Sequence, residues 1–300
     1  MMVHACQLDI IWENKLENFR RVDLLLSKRR IFPGSLVVLP EMFATGFSMN
    51  ASDVAEPKNG LTTRFLRLLA RKHRAYVLGG LVRRGAGHRI FNEAVCLAPS
   101  GKCIAHYAKL HLFSPGGESD HYSAGDHVTM FRWAGLKVAV FICYDLRFPE
   151  VFRLAALRGA QVMVVIANWP HKRHAHWLAL LRARAIENQV YIIGVNRCGR
   201  DPKLGYDGGS LLIDPRGNTI ASAGRHEFVL SAKLDPAVLA RWREEFPAIK
   251  DARAEIILKK TSIPPKRRRT VKAMVGNSRD KSVHSRLSNF STLPKLNGRA

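Results

Sequence analysis

Strand-length apolar runs alternate with stretches of helical periodicity along the first 250 residues, and the alternation then stops. This pattern restricts the fold more than any other feature of the chain. A buried strand needs neighbours and a one-sided helix must cover something, so the repeated pairing of the two calls for a layered α/β domain. Residues 3–10, 35–40, 76–82, 90–97 and 102–107 read as strands, with helical spacing over 16–28 and 61–73. The turn Ala98-Pro-Ser-Gly101 joins two of these strands. After an irregular segment, 128–133 and 136–142 form a further pair, and 149–158 a helix with proline near its first turn. Residues 162–167 are six apolar residues in a row, a buried strand. A helix over 177–187, strands over 190–195, 209–213, 219–222 and 228–233, and a last helix from near Asp235 complete the series.

Past residue 251 neither periodicity nor apolar content is sufficient for folding. The expected division is one domain over 1–254 and a basic, disordered tail over 255–300. The formal charge of the chain is +24, and residues 251–300 hold 13 Lys/Arg against 3 Asp/Glu. Such a balance favours polyanions and small acidic substrates. Lys266-Arg-Arg-Arg269 invites a nucleic-acid or nuclear-localisation reading. No nucleic-acid-binding fold motif accompanies it and aromatics are not interleaved with the basic residues, so the tail reads as a solvated extension instead.

No apolar run approaches the ~18 residues of a membrane span. The first ten residues carry neither a basic n-region nor an apolar h-region, so no signal peptide is read there and the cytoplasm is the expected location. Five cysteines with no CxxC pair argue against a disulfide framework or a structural zinc site. His171, His174 and His176 cluster around Trp169 and Trp177, but no cysteine or carboxylate nearby in sequence completes a ligand set. A polar loop entering a helix is the plainer account of these histidines.

Three polar residues stand at or just past strand ends, where ligand sites gather in α/β domains: Glu41, Lys109 and Cys143. Taken singly, each has a plain reading as a solvated carboxylate, a surface lysine and a small buried hydrophobe. Taken together they make chemical sense. A cysteine is mostly thiol at neutral pH; a lysine beside it favours thiolate, and a glutamate within reach takes the thiol proton. Lysine and a backbone N–H then hold the oxyanion formed on an attacked carbonyl.

Leu39-Pro-Glu-Met42, Tyr107-Ala-Lys-Leu-His-Leu-Phe113 and Phe141-Ile-Cys-Tyr-Asp-Leu-Arg-Phe-Pro-Glu150 resemble the three signature regions of the nitrilase, or carbon–nitrogen hydrolase, superfamily. The resemblance runs from about residue 3 to 251, in the family's order and spacing. It implies a four-layer αββα sandwich, assembly into homodimers or larger homo-oligomers, and no metal or cofactor. It implies Cys143 as nucleophile, Glu41 as general base and later acid, and Lys109 with the Tyr144 backbone N–H at the oxyanion. A second glutamate, which orients the lysine in many members, corresponds to Glu118.

The words around these residues resemble a branch. Cys143-Tyr-Asp-Leu-Arg-Phe-Pro-Glu150 is similar to amidases of small α-keto acid amides, where true nitrilases carry Trp-Glu after the cysteine. Asn168-Trp-Pro170, His176-Trp177, Ala183-Arg-Ala-Ile-Glu-Asn-Gln189 and Gly194-Val-Asn-Arg197 resemble the ω-amidases, which hydrolyse the terminal amide of 2-oxoglutaramate or 2-oxosuccinamate. An amidase acting on deaminated glutathione is the alternative, against which the Asn168-Trp-Pro170 phrase speaks. An ω-amide of this kind carries a carboxylate, which asks for a cation in the pocket. Arg147 is the first candidate and Arg173 the second; an ion pair of Arg147 with Asp145 or Glu150 is the competing role. Phe47, Trp169 and Tyr122 are expected pocket walls.

Overall fold

The computed structural model describes residues 1–255, and the segment read as a basic tail lies outside them. The chain begins with β1 (Met2–Gln7), α1 (Lys15–Ser27), β2 (Leu36–Val38), the one-turn α2 (Ala51–Val54) and α3 (Leu61–His73). Then come β3 (Tyr76–Arg84), β4 (Ile90–Leu97), β5 (Cys103–Ala108) and the one-turn α4 (Glu118–His121). The second half runs β6 (Met130–Trp133), β7 (Leu136–Ile142), α5 (Pro149–Leu157), β8 (Val162–Ala167), α6 (His174–Asn188) and β9 (Tyr191–Asn196). It closes with the hairpin β10 (Cys198–Arg200) and β11 (Gly205–Asp207), then β12 (Leu211–Ile213), β13 (Thr219–Ser222), β14 (Phe228–Lys233) and α7 (Pro236–Glu245).

Twelve of these strands form two six-stranded sheets, ordered β14-β1-β2-β3-β4-β5 and β13-β12-β9-β8-β7-β6, and β10 pairs with β11 alone. Side-chain alternation in the first sheet explains the layering. Val3, Ala5, Leu36, Val38, Leu78, Ala94 and Cys96 join one core with β7, β8 and β9, between the sheets. Their neighbours Cys6, Val37, Leu39, Val77, Val95 and Leu97 face the other way, against Val22 and Leu26 of α1 and Leu66 and Leu69 of α3. On the far side of the second sheet, α5 and α6 contribute Phe152, Ala155, Trp177 and Leu181 to the core. The expected αββα sandwich is the architecture observed.

Parallel pairing aims the site. β1 and β2 are parallel, as are β2 and β3, β7 and β8, and β8 and β9. The residues following β2, β7 and β8 therefore emerge from the carboxyl ends of parallel strands. Gly80 in β3 lets the chain after β2 come close: a Cβ there would lie 2.6 Å from Glu41 Cα and from Met42 N.

Several boundaries differ from the sequence reading, two of them for visible local reasons. Helix α6 starts at His174 because a 3₁₀ turn over His171–Arg173 runs straight into it. β12 starts only at Leu211, because Gly208 and Gly209 both have positive φ (62° and 72°) and bend the chain out of the sheet. At Gly209 a Cβ would meet the His174 ring at 2.3 Å, so the bend and the helix start fit together. The hairpin β10–β11, with three residues a side, lacks the length for an alternation signal and was not expected.

Candidate active site

Glu41 follows β2, Lys109 follows β5, Glu118 opens α4 and Cys143 follows β7; the structure brings all four together. Glu41, Lys109 and Glu118 are fully buried. Lys109 Nζ donates to Glu41 Oε1 at 3.0 Å and to Glu118 Oε2 and Oε1 at 2.8 and 3.1 Å. Burial opposes the lysine's charge, but the two carboxylates outweigh it and hold Lys109 protonated, above its ordinary value.

Both carboxylates accept further hydrogen bonds. Asn92 Nδ2 donates to Glu41 Oε1 at 2.7 Å and to Glu118 Oε1 at 2.8 Å. The Asn168 backbone N–H donates to Glu41 Oε2 at 2.7 Å, and the Asn168 side chain donates to the Glu41 carbonyl at 2.7 Å. The Phe113 N–H donates to Glu118 Oε2 at 2.6 Å. Asn196 in turn fixes the loop residue after Asn168, accepting from Trp169 N at 2.7 Å and donating to the Trp169 carbonyl at 3.0 Å.

Cys143 sits at the start of a 3₁₀ turn over Cys143–Arg147 with φ of 46°, a left-handed conformation that a side chain tolerates only under external constraint. The constraint is visible. Asp145, fully buried, accepts from the Ile142 N–H (3.0 Å), the Tyr107 hydroxyl (2.7 Å) and the His111 N–H (2.9 Å), clamping the turn to β7 and to the segment after β5. Tyr144 is the second residue of that turn, where N–H groups have no intrahelical acceptor. Burial, and then the charge of Glu41, push the Cys143 thiol well above its usual value; Lys109 pulls the other way and is outweighed. These influences favour the thiol form, whose proton then leaves during attack.

The half-buried Cys143 opens onto a cavity of about 580 Å³ lined by Phe47, Trp169, Arg147 and Arg173 among others. The Arg147 guanidinium lies 4.9 Å from the Trp169 ring centroid, and that of Arg173 lies 5.3 Å from Phe113. The competing role for Arg147 is not observed: Asp145 is committed to Tyr107, His111 and Ile142, and among the described residues Arg147 has no carboxylate partner. Its Nη2 instead lies 3.3 Å from His176 Nδ1. Tyr122 is not among the wall residues. Its ring packs with Met42, Ala51, Val54 and Val82, and its hydroxyl donates to the Ser48 carbonyl at 2.5 Å. The three histidines diverge, His171 to Asp207, His174 onto Gly209 and His176 to Arg147.

Sequence reasoning did not single out Asn92, Asn168 as a contact of Glu41, or the hairpin tip. Asn92 carried a signal, being a polar residue inside an otherwise buried strand. The tip residues Asp201–Leu204, which form one wall with Trp12 and Tyr206, carried none.

Residues 2–244 match the carbon–nitrogen hydrolase family. The chain belongs to that family. Among curated relatives, it is 33% identical to 2-oxoglutaramate amidase of Bacillus subtilis (strain 168) over 255 residues, 85% of this chain and 98% of the relative. It is 36% identical to omega-amidase YafV of Escherichia coli (strain K12) over 254 residues, 84% and 96% of the two chains. In structure it resembles XC1258 of Xanthomonas campestris, a CN-hydrolase superfamily protein whose active site carries an arsenic adduct. The TM-score is 0.78 at 33% identity, covering 84% of this chain and 97% of that one. This carbon–nitrogen hydrolase thus carries Glu41, Lys109 and Cys143 just past strand ends, with Cys143 at the cavity.

Proposed function

We infer that the protein is an ω-amidase that hydrolyses the terminal amide of small α-keto acid amides, 2-oxoglutaramate or 2-oxosuccinamate, to the acid and ammonia. The observation that carries this reading is the buried Glu41–Lys109–Glu118 set beside Cys143, opening onto a cavity with an uncommitted arginine. The names of its relatives in Bacillus subtilis and Escherichia coli support the substrate class.

The geometry suits a thioester route. Glu41 takes the Cys143 proton as sulfur attacks the amide carbon, so the thiolate forms only in the presence of substrate. Lys109 and the Tyr144 N–H face the oxygen that becomes negative. Glu41 passes its proton to the departing nitrogen, C–N cleavage releases ammonia, and a thioester remains. Water, deprotonated by Glu41, attacks the thioester and frees the acid and the thiol. Glu118 holds Lys109 in place, and Arg147 pairs with the substrate carboxylate, with Arg173 as the second cation. Phe47 and Trp169 flank the bound chain.

Assembly into homodimers or larger homo-oligomers is what the family resemblance implies. The deciding experiment incubates purified protein with 2-oxoglutaramate, 2-oxosuccinamate and deaminated glutathione and measures ammonia. Release from the first two supports the reading, and release from neither removes it.

A further inference from the structure

We propose that Asn92 is a positioning residue for the hydrolysis, a second and immovable bridge that holds the carboxylates of Glu41 and Glu118 in place when Lys109 turns to the oxyanion. At rest Lys109 Nζ contacts three carboxylate oxygens, at 3.0, 3.1 and 2.8 Å. An ammonium has three N–H groups, so serving a tetrahedral intermediate means loosening one of these bonds. With Lys109 as the sole bridge, two buried carboxylates would then face each other less compensated than before.

Asn92 spans the same pair of oxygens. Its Nδ2 lies 2.7 Å from Glu41 Oε1 and 2.8 Å from Glu118 Oε1, the two atoms that Lys109 Nζ also bridges. The four side chains close a ring: Glu41 Oε1, Nζ, Glu118 Oε1, Nδ2. An amide NH₂ has two N–H groups, one for each carboxylate, and it neither titrates nor carries a charge that the oxyanion would attract. The orientation of the amide is fixed by chemistry, since only its N–H end can face two carboxylates.

Two further observations separate this role from packing. Among the described residues Asn92 Oδ1 is buried with no hydrogen-bond partner, an arrangement that fold stability alone disfavours. The Asn92 carbonyl also accepts from the Lys109 backbone N–H at 2.9 Å, so one residue fixes both the base of the lysine and the acids it serves. The strand register sets this up, with Glu93 opposite Ala108 and Asn92 therefore opposite Lys109.

The kinetic part of the test rests on the amidase reading; a second part does not. Asn92→Asp keeps the shape and removes the donors, and Asn92→Ala removes the side chain; thermal unfolding reports whether each is folded. With 2-oxoglutaramate, kcat falls about 100-fold in both while KM stays within about threefold, as for a lost alignment and not a lost substrate contact. Independently of any substrate, Cys143 is alkylated with iodoacetamide at neutral pH and followed by peptide mapping, because Cys103 is also exposed. Alkylation slows in both variants, and most in Asn92→Asp, because less-compensated carboxylates disfavour thiolate. A merely structural asparagine would give the opposite sign, since a loosened site uncovers the half-buried thiol. Alkylation of either folded variant at or above the wild-type rate overturns the proposal, as does unchanged kcat. A wild type that alkylates at Cys143 but releases no ammonia refutes the amidase reading, and the alkylation rates still decide the role of Asn92.

Discussion

At Cys143 the backbone takes on strain that no packing argument requires. A φ of 46° on a non-glycine residue costs about 1 kcal/mol, and here it points the thiol out of the strand and toward the cavity. Cys143→Ala and Cys143→Ser are therefore expected to abolish ammonia release while melting as the wild type does; turnover retained in either would sink the thioester route. Cys143→Gly, which relieves the strain, should unfold about 1 kcal/mol later than Cys143→Ala in a denaturant titration. Arg147 belongs to the same turn, four residues on, with its guanidinium free of carboxylates among the described residues and laid over Trp169. Arg147→Ala should raise KM for 2-oxoglutaramate by about 10- to 100-fold with little change in kcat, the value of a charge-assisted contact to the substrate carboxylate. An equal effect on a substrate amide lacking the carboxylate would argue against that role. The residue types and strand-end positions of Glu41, Lys109 and Cys143 were legible because their phrases are contiguous. The wall position assigned to Tyr122 was not, because an aromatic looks the same in sequence whether it faces a cavity or a five-residue satellite core.

At the scale of elements, the long apolar or alternating segments were readable, and short segments held by distant partners were not. β4, β7, β8 and α3 sit where their patterns put them. The hairpin β10–β11 depends on contacts outside its own sequence: Arg197, buried beneath it, donates to the Ile10 and Arg200 carbonyls at 3.0 and 2.8 Å. Such a guanidinium reads in sequence as a surface charge. Pairing of the chain's two ends poses a similar problem, because β1 and β14 are 227 residues apart at the His4–Ser231 pair. His4 Nδ1 and Ser231 Oγ lie 2.8 Å apart, and the ring is buried. Burial, then the positive charges of His73 and Arg29, pull His4 down from 6.5 to about 4. Between those values the unfolded chain takes up a proton that the folded chain refuses, so stability falls as pH drops through this window. In urea titrations from neutral pH to about pH 5, His4→Asn should lose less stability than wild type. Parallel curves for the two proteins would remove His4 as the cause.

Over the whole molecule, basic charge extends past the part of the chain that holds the core and the cavity. Among the described residues the last fully buried side chain is Leu239, and both sheets, the cavity and every proposed site residue lie before it. The formal charge is distributed otherwise, with 13 Lys/Arg against 3 Asp/Glu over residues 251–300 and the remaining excess spread along the first 250. A substrate with a single carboxylate asks for a cation at the pocket, where Arg147 and Arg173 both stand; it does not need a net charge of +24. Removing residues 256–300 should therefore leave kcat/KM for 2-oxoglutaramate within about a factor of two, the range of changes remote from a site. Contact with polyanions should respond differently. It gains from counterion release in proportion to the cations engaged, so affinity for duplex DNA should fall steeply with salt in the full chain and have a shallower slope after truncation. Titrations of both proteins across a salt series measure the two slopes. Equal slopes would assign the polyanion contact to the folded domain, and a truncated protein with impaired kcat/KM would mean that the basic segment serves the active site after all.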